Sequence, residues 1–251
     1  MNQFRTSPLG SLPPVVKNLL LINIAMFLLL VLSEAIYQVD LNRVLGLYQP
    51  MSEAFRPYQI ITHMFMHGGL AHLFFNMFAL FMFGRVLEQV WGGKRFLIYY
   101  LVTGLGAAGL HLLVGYLQIQ NMLAEIPAET LEMVRTEGLE AIMEGKNYTN
   151  PDLAKLNATM NIPTVGASGA VFGLLLGFGM LFPNVQLMLL FPPIPIRAKY
   201  FVIGYGALEL FLGISQPGSN VAHFAHLGGM LFGFIMIQLW KKQEINKNRW
   251  N

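Results

Sequence analysis

Six stretches of the chain are each apolar over about the length needed to cross a bilayer, and no other feature of the sequence limits its fold so strongly. They cover residues 16–37, 60–84, 96–117, 168–182, 198–214 and 221–240. The fourth is short and glycine-rich, and the apolar run 187–191 blurs its end. Charge is scarce to match: 12% of the 251 residues are charged and 55% are hydrophobic, where a soluble domain carries roughly a quarter charged. Too few charged side chains remain to cover a soluble surface, which excludes an ordinary soluble enzyme, a disordered regulator and a collagen-like chain. The expected fold is an all-α polytopic membrane protein: a six-helix membrane domain over 16–240, flanked by tails 1–15 and 241–251. A signal peptide is the alternative reading of the first stretch, but its apolar run is long for one.

Cysteine is absent, which excludes thiol catalysis, disulfides and Cys-ligated metals. The net charge of +3 invites a nucleic-acid reading, but the distribution of charge answers it. With the N-terminus placed in the cytoplasm, Arg5, Lys17, Arg85, Lys94, Arg95, Arg197, Lys199, Lys241, Lys242, Lys247 and Arg249 fall on the inner side. Only Arg43, Arg56, Arg135, Lys146 and Lys155 fall outside. That is a positive-inside bias. Both termini are expected in the cytoplasm, the membrane is expected to be a bacterial inner membrane, and no nucleic-acid partner is expected.

Between spans three and four lies a polar insert, 118–158, rich in acidic residues. Pro127-Ala-Glu-Thr reads as a helix start, while Gly138 and Gly145 interrupt any long helix. One or two short outward-facing helices are expected there, either as a solvated spacer or in contact with substrate.

Polar side chains inside a membrane span are costly and each needs a reason. Span two carries His63, His67, His72 and Asn76, span four opens on Gly166-Ala167-Ser168-Gly169, and span six carries His223 and His226. Spans two, four and six all run from outside to inside, so Ser168 and His226 both lie near the outer ends of their spans. His72 and Asn76, spaced i,i+4, share one helical face. A tilted helix or a thinned outer leaflet would bring all four to one level.

A hydroxyl, an imidazole and two further donors at similar depth suit acyl transfer. The hydroxyl becomes nucleophilic once a base takes its proton. The oxyanion then needs preorganised donors, which Asn76, His72 and the Ser168 N–H can supply. Span six contains no Asp or Glu, so the expected site is a Ser168–His226 dyad rather than a triad. The soluble-hydrolase elbow is absent, because position 170 is Ala and no strand precedes Ser168. Gly169, Gly173 and Gly177, and again Gly229 and Gly233, repeat every fourth residue. Such faces let membrane helices approach closely, and packing of spans four and six through them would bring Ser168 to His226.

The segment Gly166-Ala-Ser168-Gly-Ala-Val-Phe-Gly173, the pair His72-x-x-x-Asn76 and the segment Ala225-His226-Leu-Gly-Gly229 with Gly233 together resemble the rhomboid intramembrane serine proteases. Gly84-Arg-Val-Leu-Glu88 resembles that family's turn closing span two, where Glu88 would be structural. The resemblance covers about residues 15–240 and implies Ser168 as nucleophile, with His226 as general base. His72, Asn76 and the Ser168 N–H would form the oxyanion hole. Substrates would be transmembrane segments of other membrane proteins, cut near the outer face, and no cofactor is implied. Their access would lie between spans two and five, under a cap at 215–220 containing Pro217 and Gly218. Many members carry a Trp-Arg pair before span two, and here Tyr58-Gln59 takes its place.

The remaining polar residues have milder readings. His223 lines the cavity, holds water or steadies a loop in a structural role, His63, His67 and His111 give packing or polar support, and Glu209 is a neutral or hydrogen-bonded structural acid or a gate on span five. Two other functions compete. The His63/His67 and His223/His226 spacings would suit a metal-dependent membrane enzyme or transporter. A rhomboid-like scaffold without activity would bind membrane clients uncut, though such relatives typically lack the serine or the histidine.

Overall fold

The computed structural model describes residues 12–124, 126–188, 193–216 and 221–248. A long apolar helix, α1 (Pro14–Tyr37), starts the fold. Its first-turn amides have no acceptor of their own, and Glu88 supplies one by accepting from Val15 N at 3.0 Å and Val16 N at 2.7 Å. The carboxylate also complements the positive end of the helix dipole. The loop that follows α1 holds the short helix α2 (Leu41–Leu45).

The second span begins later than the apolar pattern suggests. Residues Gln59–Thr62 form a single turn, α3, continued by a 3-10 turn over His63–Phe65. The chain then breaks before α4 (Leu70–Ala79), where Gly68 and Gly69 supply no side chains to hold a helix together. A π turn over Leu80–Gly84 leads into α5 (Arg85–Trp91), so the continuous span is Leu70–Trp91 rather than 60–84. The other helices are α6 (Gly93–Leu123), α7 (Ala128–Met143), α8 (Pro151–Asn161), α9 (Ser168–Leu181), α10 (Ala198–Ser215) and α11 (His223–Asn248). Two short elements among the described residues are not helical. The apolar run after span four enters β1 (Gln186–Met188), paired antiparallel with β2 (Pro195–Arg197), Leu187 opposite Ile196.

Among the described residues, five helices are long and apolar enough to cross a membrane, and α9 is a shorter apolar helix. Helix α9 sits at the centre, with ten of its residues buried, against α6, α10 and α11. The outer helices turn large apolar side chains outward, among them Leu28, Phe74, Ile203 and Phe211, each more than half exposed. Such a surface suits hydrocarbon and not water, and the chain is a polytopic membrane protein.

The small-residue stripe of α9 does two jobs. A Cβ on Gly229 of α11 would run into the Gly169 carbonyl, so these helices touch backbone to backbone there. Gly173 and Gly177 instead make room for Thr103, Tyr99 and Trp91. The Tyr99 hydroxyl donates to the Gly173 carbonyl at 2.8 Å. Spans four and six therefore meet through the first glycine of the stripe, and α6 and α5 fill the rest.

The insert is two helices with a core of their own, in which Ile119, Val134, Leu156 and Met160 are fully buried. It is joined to the first outer loop, where the Ser52 hydroxyl bonds to Asn161 Oδ1 at 2.6 Å and Met51 packs on the small core. In the same loop, burial pushes the Tyr48 phenol up to about 12, with Arg43 opposing the shift.

Candidate active site

The segment before Ser168 is hung on neighbouring backbone rather than left as a free loop. Leu47 and Thr164 exchange both of their backbone hydrogen bonds, at 2.9 and 2.8 Å, and Gly166 N donates to the His63 carbonyl at 2.9 Å. Gly166 has φ +130°, in the region that favours glycine, and the His72 ring occupies the space a Cβ would need. The loop after α1 is itself tied by the Tyr58-Gln59 pair. Gln59 Nε2 donates to the Val44 and Ala54 carbonyls, and its Oε1 accepts from Arg56 N. Tyr58 Oη also donates to the Val44 carbonyl, and Thr62 Oγ1 to that of Leu45.

Ser168 opens α9, so its own N–H belongs to the first turn, whose amides have no acceptor within the helix. His226 lies in the first turn of α11 and is 8% exposed. The glycine contact between α9 and α11 brings His226 Nε2 to 2.8 Å from Ser168 Oγ. Asn76 is buried one turn below His72 on α4, and its amide donates to the His72 carbonyl at 3.0 Å. The His72 ring accepts from Gly68 N at 3.4 Å and meets the His67 ring edge-on, centroids 5.1 Å apart. The structure thus places His72 beside the turn that precedes Ser168.

A carboxylate also touches the His226 ring. Glu209, 4% exposed on α10, puts one carboxylate oxygen 2.9 Å from His226 Nδ1 and 2.7 Å from His223 Nδ1. The carboxyl that meets the two histidines of α11 thus comes from the neighbouring helix α10. His223 consequently faces a carboxylate rather than open cavity, and Glu209 is bonded to histidine at the site. Pro217 and Gly218 lie outside the described residues.

Two contributors had no place in the sequence reading. The Phe172 ring stacks on His226 with centroids 4.1 Å apart and also meets Tyr205 of α10 at 4.9 Å. Thr164 bonds His111 Nε2 at 2.8 Å beside a cavity of about 20 Å³ lined by His63, Thr164, Gly166 and Ser168. That is room for about one water. The periodicity held a clue to Phe172, which is i+4 from Ser168 and therefore on its face of the helix.

Glu209, His223 and His226 offer three ligand atoms within 4.8 Å of one another, a set that could hold a metal ion. The two short contacts to one oxygen are hydrogen-bond distances. Among the described residues, His63 and His67 do not join such a set. The His63 Nδ1 instead bonds the Gln59 carbonyl at 2.9 Å.

A helical membrane protein with a half-buried hydroxyl–imidazole pair between two of its helices is thereby defined. The rhomboid domain family model matches residues 54–243, and the chain belongs to the rhomboid family. It is 27% identical over 179 residues to the putative rhomboid protease YdcA of Bacillus subtilis, covering 71% of this chain and 65% of that one. It is also 27% identical over 180 residues to the rhomboid protease AarA of Providencia stuartii, covering 69% and 52%. An uncharacterized mitochondrial rhomboid protein of Schizosaccharomyces pombe is 26% identical over 216 residues, covering 76% and 53%. The chain thus spans about half to two thirds of the length of these relatives.

Proposed function

We propose that the chain is an intramembrane serine endopeptidase that cuts transmembrane segments of other membrane proteins near the outer face. The observation that carries this reading is the 2.8 Å contact of Ser168 Oγ with His226 Nε2 between two membrane helices. Relatives named rhomboid proteases support it.

In the first half-reaction His226 Nε2 takes the Ser168 proton as Oγ bonds to the scissile carbonyl carbon. The oxyanion so formed is held by the Ser168 N–H, Asn76 and His72. Collapse breaks the C–N bond, and the proton on Nε2 leaves with the new amine. Water then attacks the acyl ester with its proton passing to His226, which returns it to Oγ as the ester bond breaks. The net reaction consumes one water and yields one carboxyl and one amino terminus.

The depth of the site follows from helix length. The 14 residues of α9 rise about 21 Å, against roughly 30 Å of hydrocarbon, so a helix reaching the inner face starts well below the outer one. The distribution of Lys and Arg supports six spans with both termini in the cytoplasm. The relatives come from a bacterial cell and a mitochondrion alike, and the bacterial inner membrane is the assignment proposed from the sequence. A substrate helix must open locally, because its own hydrogen bonds shield the carbonyl, and we place its access between the second and fifth spans.

The test is incubation of the purified chain in lipid with a labelled transmembrane substrate, together with a fluorophosphonate probe. Wild type should cleave and be labelled, and Ser168→Ala and His226→Ala should do neither. Cleavage that survives in Ser168→Ala overturns the assignment.

A further inference from the structure

Helix α10 reaches the site with two side chains one turn apart. Tyr205 lies against Phe172, on which His226 stacks, and Glu209 bonds His226 from the other direction. A carboxylate that touches the general base on the nitrogen opposite the serine does more than fill space.

We propose that Glu209 is a positioning residue for His226, fixing the tautomer and tilt of the imidazole and stabilising the cation it becomes. This rests on the protease reading above. An ionised carboxylate can only accept hydrogen bonds, so both nitrogens that touch it must carry the hydrogen. With its proton on Nδ1, His226 has its lone pair on Nε2, 2.8 Å from Ser168 Oγ, the arrangement a general base needs. When Nε2 takes the serine proton, the ring becomes positive with a negative oxygen 2.9 Å from its other nitrogen. The proton stays on the histidine and the carboxylate remains ionised, as in other Ser-His-acid sites.

His223 completes the device. A lone carboxylate at 4% exposure would carry a large desolvation cost, and the second N–H donor, at 2.7 Å, offsets part of it. It also fixes the carboxylate from the same helix that carries the base, one turn away. The titratable groups facing Glu209 are His223 and His226 of α11, with Tyr205 one turn back on α10. Because Glu209 belongs to α10 and His226 to α11, a base correctly aimed at Ser168 requires α10 to be seated. A metal bridging the same three residues is the competing use of this cluster, and it would have to displace both hydrogens.

The experiment compares wild type, Glu209→Gln, Glu209→Leu and His223→Gln as full-length proteins in lipid. It reads kcat and KM on the labelled substrate, fluorophosphonate labelling rate, thermal stability, and the ¹⁵N-histidine spectrum. Glu209→Gln keeps the shape and should retain the fold. We expect its kcat and labelling rate to fall tenfold or more with KM within twofold, its pH profile to move, and the Nδ1–H signal of His226 to weaken. Glu209→Leu should lose at least a hundredfold, and His223→Gln should fall between wild type and Glu209→Gln. Wild-type kcat with an unchanged pH profile in Glu209→Gln, while Ser168→Ala is inactive, overturns the proposal. So does an activity loss that only follows the loss of folded protein. Stoichiometric zinc bound by wild type and required for cleavage overturns it in favour of a metal site. If wild type neither cleaves nor labels, the protease reading fails, and the spectrum still reports whether Glu209 sets the tautomer.

Discussion

The imidazole of His226 lies flat on the ring of Phe172, with centroids 4.1 Å apart and planes 6° from parallel. Ser168 and Phe172 are one turn apart on α9, so a single helix face supplies both the hydroxyl and the platform on which the base rests. The ring is thus touched on its face by Phe172 and on its Nδ1 edge by Glu209. Phe172→Leu keeps most of the volume and removes the flat surface. We expect kcat to fall about tenfold with KM nearly unchanged, and stability to drop by about 1 kcal/mol. Activity equal to wild type would show that the stack has no part in aligning the base.

Close contact of α9 and α11 at Gly169 and Gly229 is what brings Ser168 to His226, three residues from Gly229. Gly229→Ala should therefore act on both fold and chemistry, since the added methyl meets a backbone carbonyl that cannot rotate away. A cost of about 1–3 kcal/mol is expected from overpacking, with loss of fluorophosphonate labelling. Gly109 on α6 is the matched control, because a Cβ there meets open space. Gly109→Ala should be neutral or slightly stabilising in the same thermal unfolding series. Equal stability of the two variants would contradict the close contact.

These two cases show what the sequence could disclose. Helix length and apolarity located the spans, because crossing hydrocarbon leaves few other options. The start of span two was not legible, because residues 60–66 carry the apolar run forward and the break rests on Gly68 and Gly69. Ser168 and His226 were legible as costly polar residues at matching depth. Glu209 stood out as an acid inside a span, but its contact with His226 was not legible, because it depends on how spans five and six pack. Its partners stand 14 and 17 residues away across a loop, which no periodicity reveals. The available signal was energetic: a carboxyl inside a span needs a partner, and the neighbouring span offered two histidines. Likewise the i,i+4 glycine pattern announced close packing but not which neighbour each glycine would admit.

The insert and the first outer loop form one unit through Ser52 and Asn161, whose side chains meet at 2.6 Å in a buried position. Asn161 Nδ2 in turn donates to Asn157 Oδ1 at 2.9 Å. Asn161→Ala leaves the Ser52 hydroxyl and the Asn157 oxygen without this partner, a loss of about 1–3 kcal/mol. We expect hydrogen exchange to rise in both the outer loop and α8. Intrinsic labelling of Ser168 should persist in the protein that remains folded, since neither residue touches it. Exchange that rises in α8 alone would mean that the insert does not brace the loop.

Asn76 gives the sharpest test of where the oxyanion forms. Its amide donates one hydrogen to the His72 carbonyl at 3.0 Å, and this bond holds the group on the helix face it shares with His72. The second hydrogen is free to be donated to the developing oxyanion, and donors already in place in a water-poor site add much to a transition state. Asn76→Ala should lower kcat by about 10²–10³ and leave KM within about twofold, because a bond made only in the transition state does not strengthen substrate binding. Asn76→Asp should fare no better, since a carboxylate offers no hydrogen and repels the oxyanion. His72→Ala should also lower kcat, because Gly68 N donates to His72 Nδ1 and so leaves the ring hydrogen on Nε2 for the oxyanion. The readout is single-turnover cleavage of a transmembrane substrate by each variant. A raised KM with an unchanged kcat would place Asn76 in substrate binding instead.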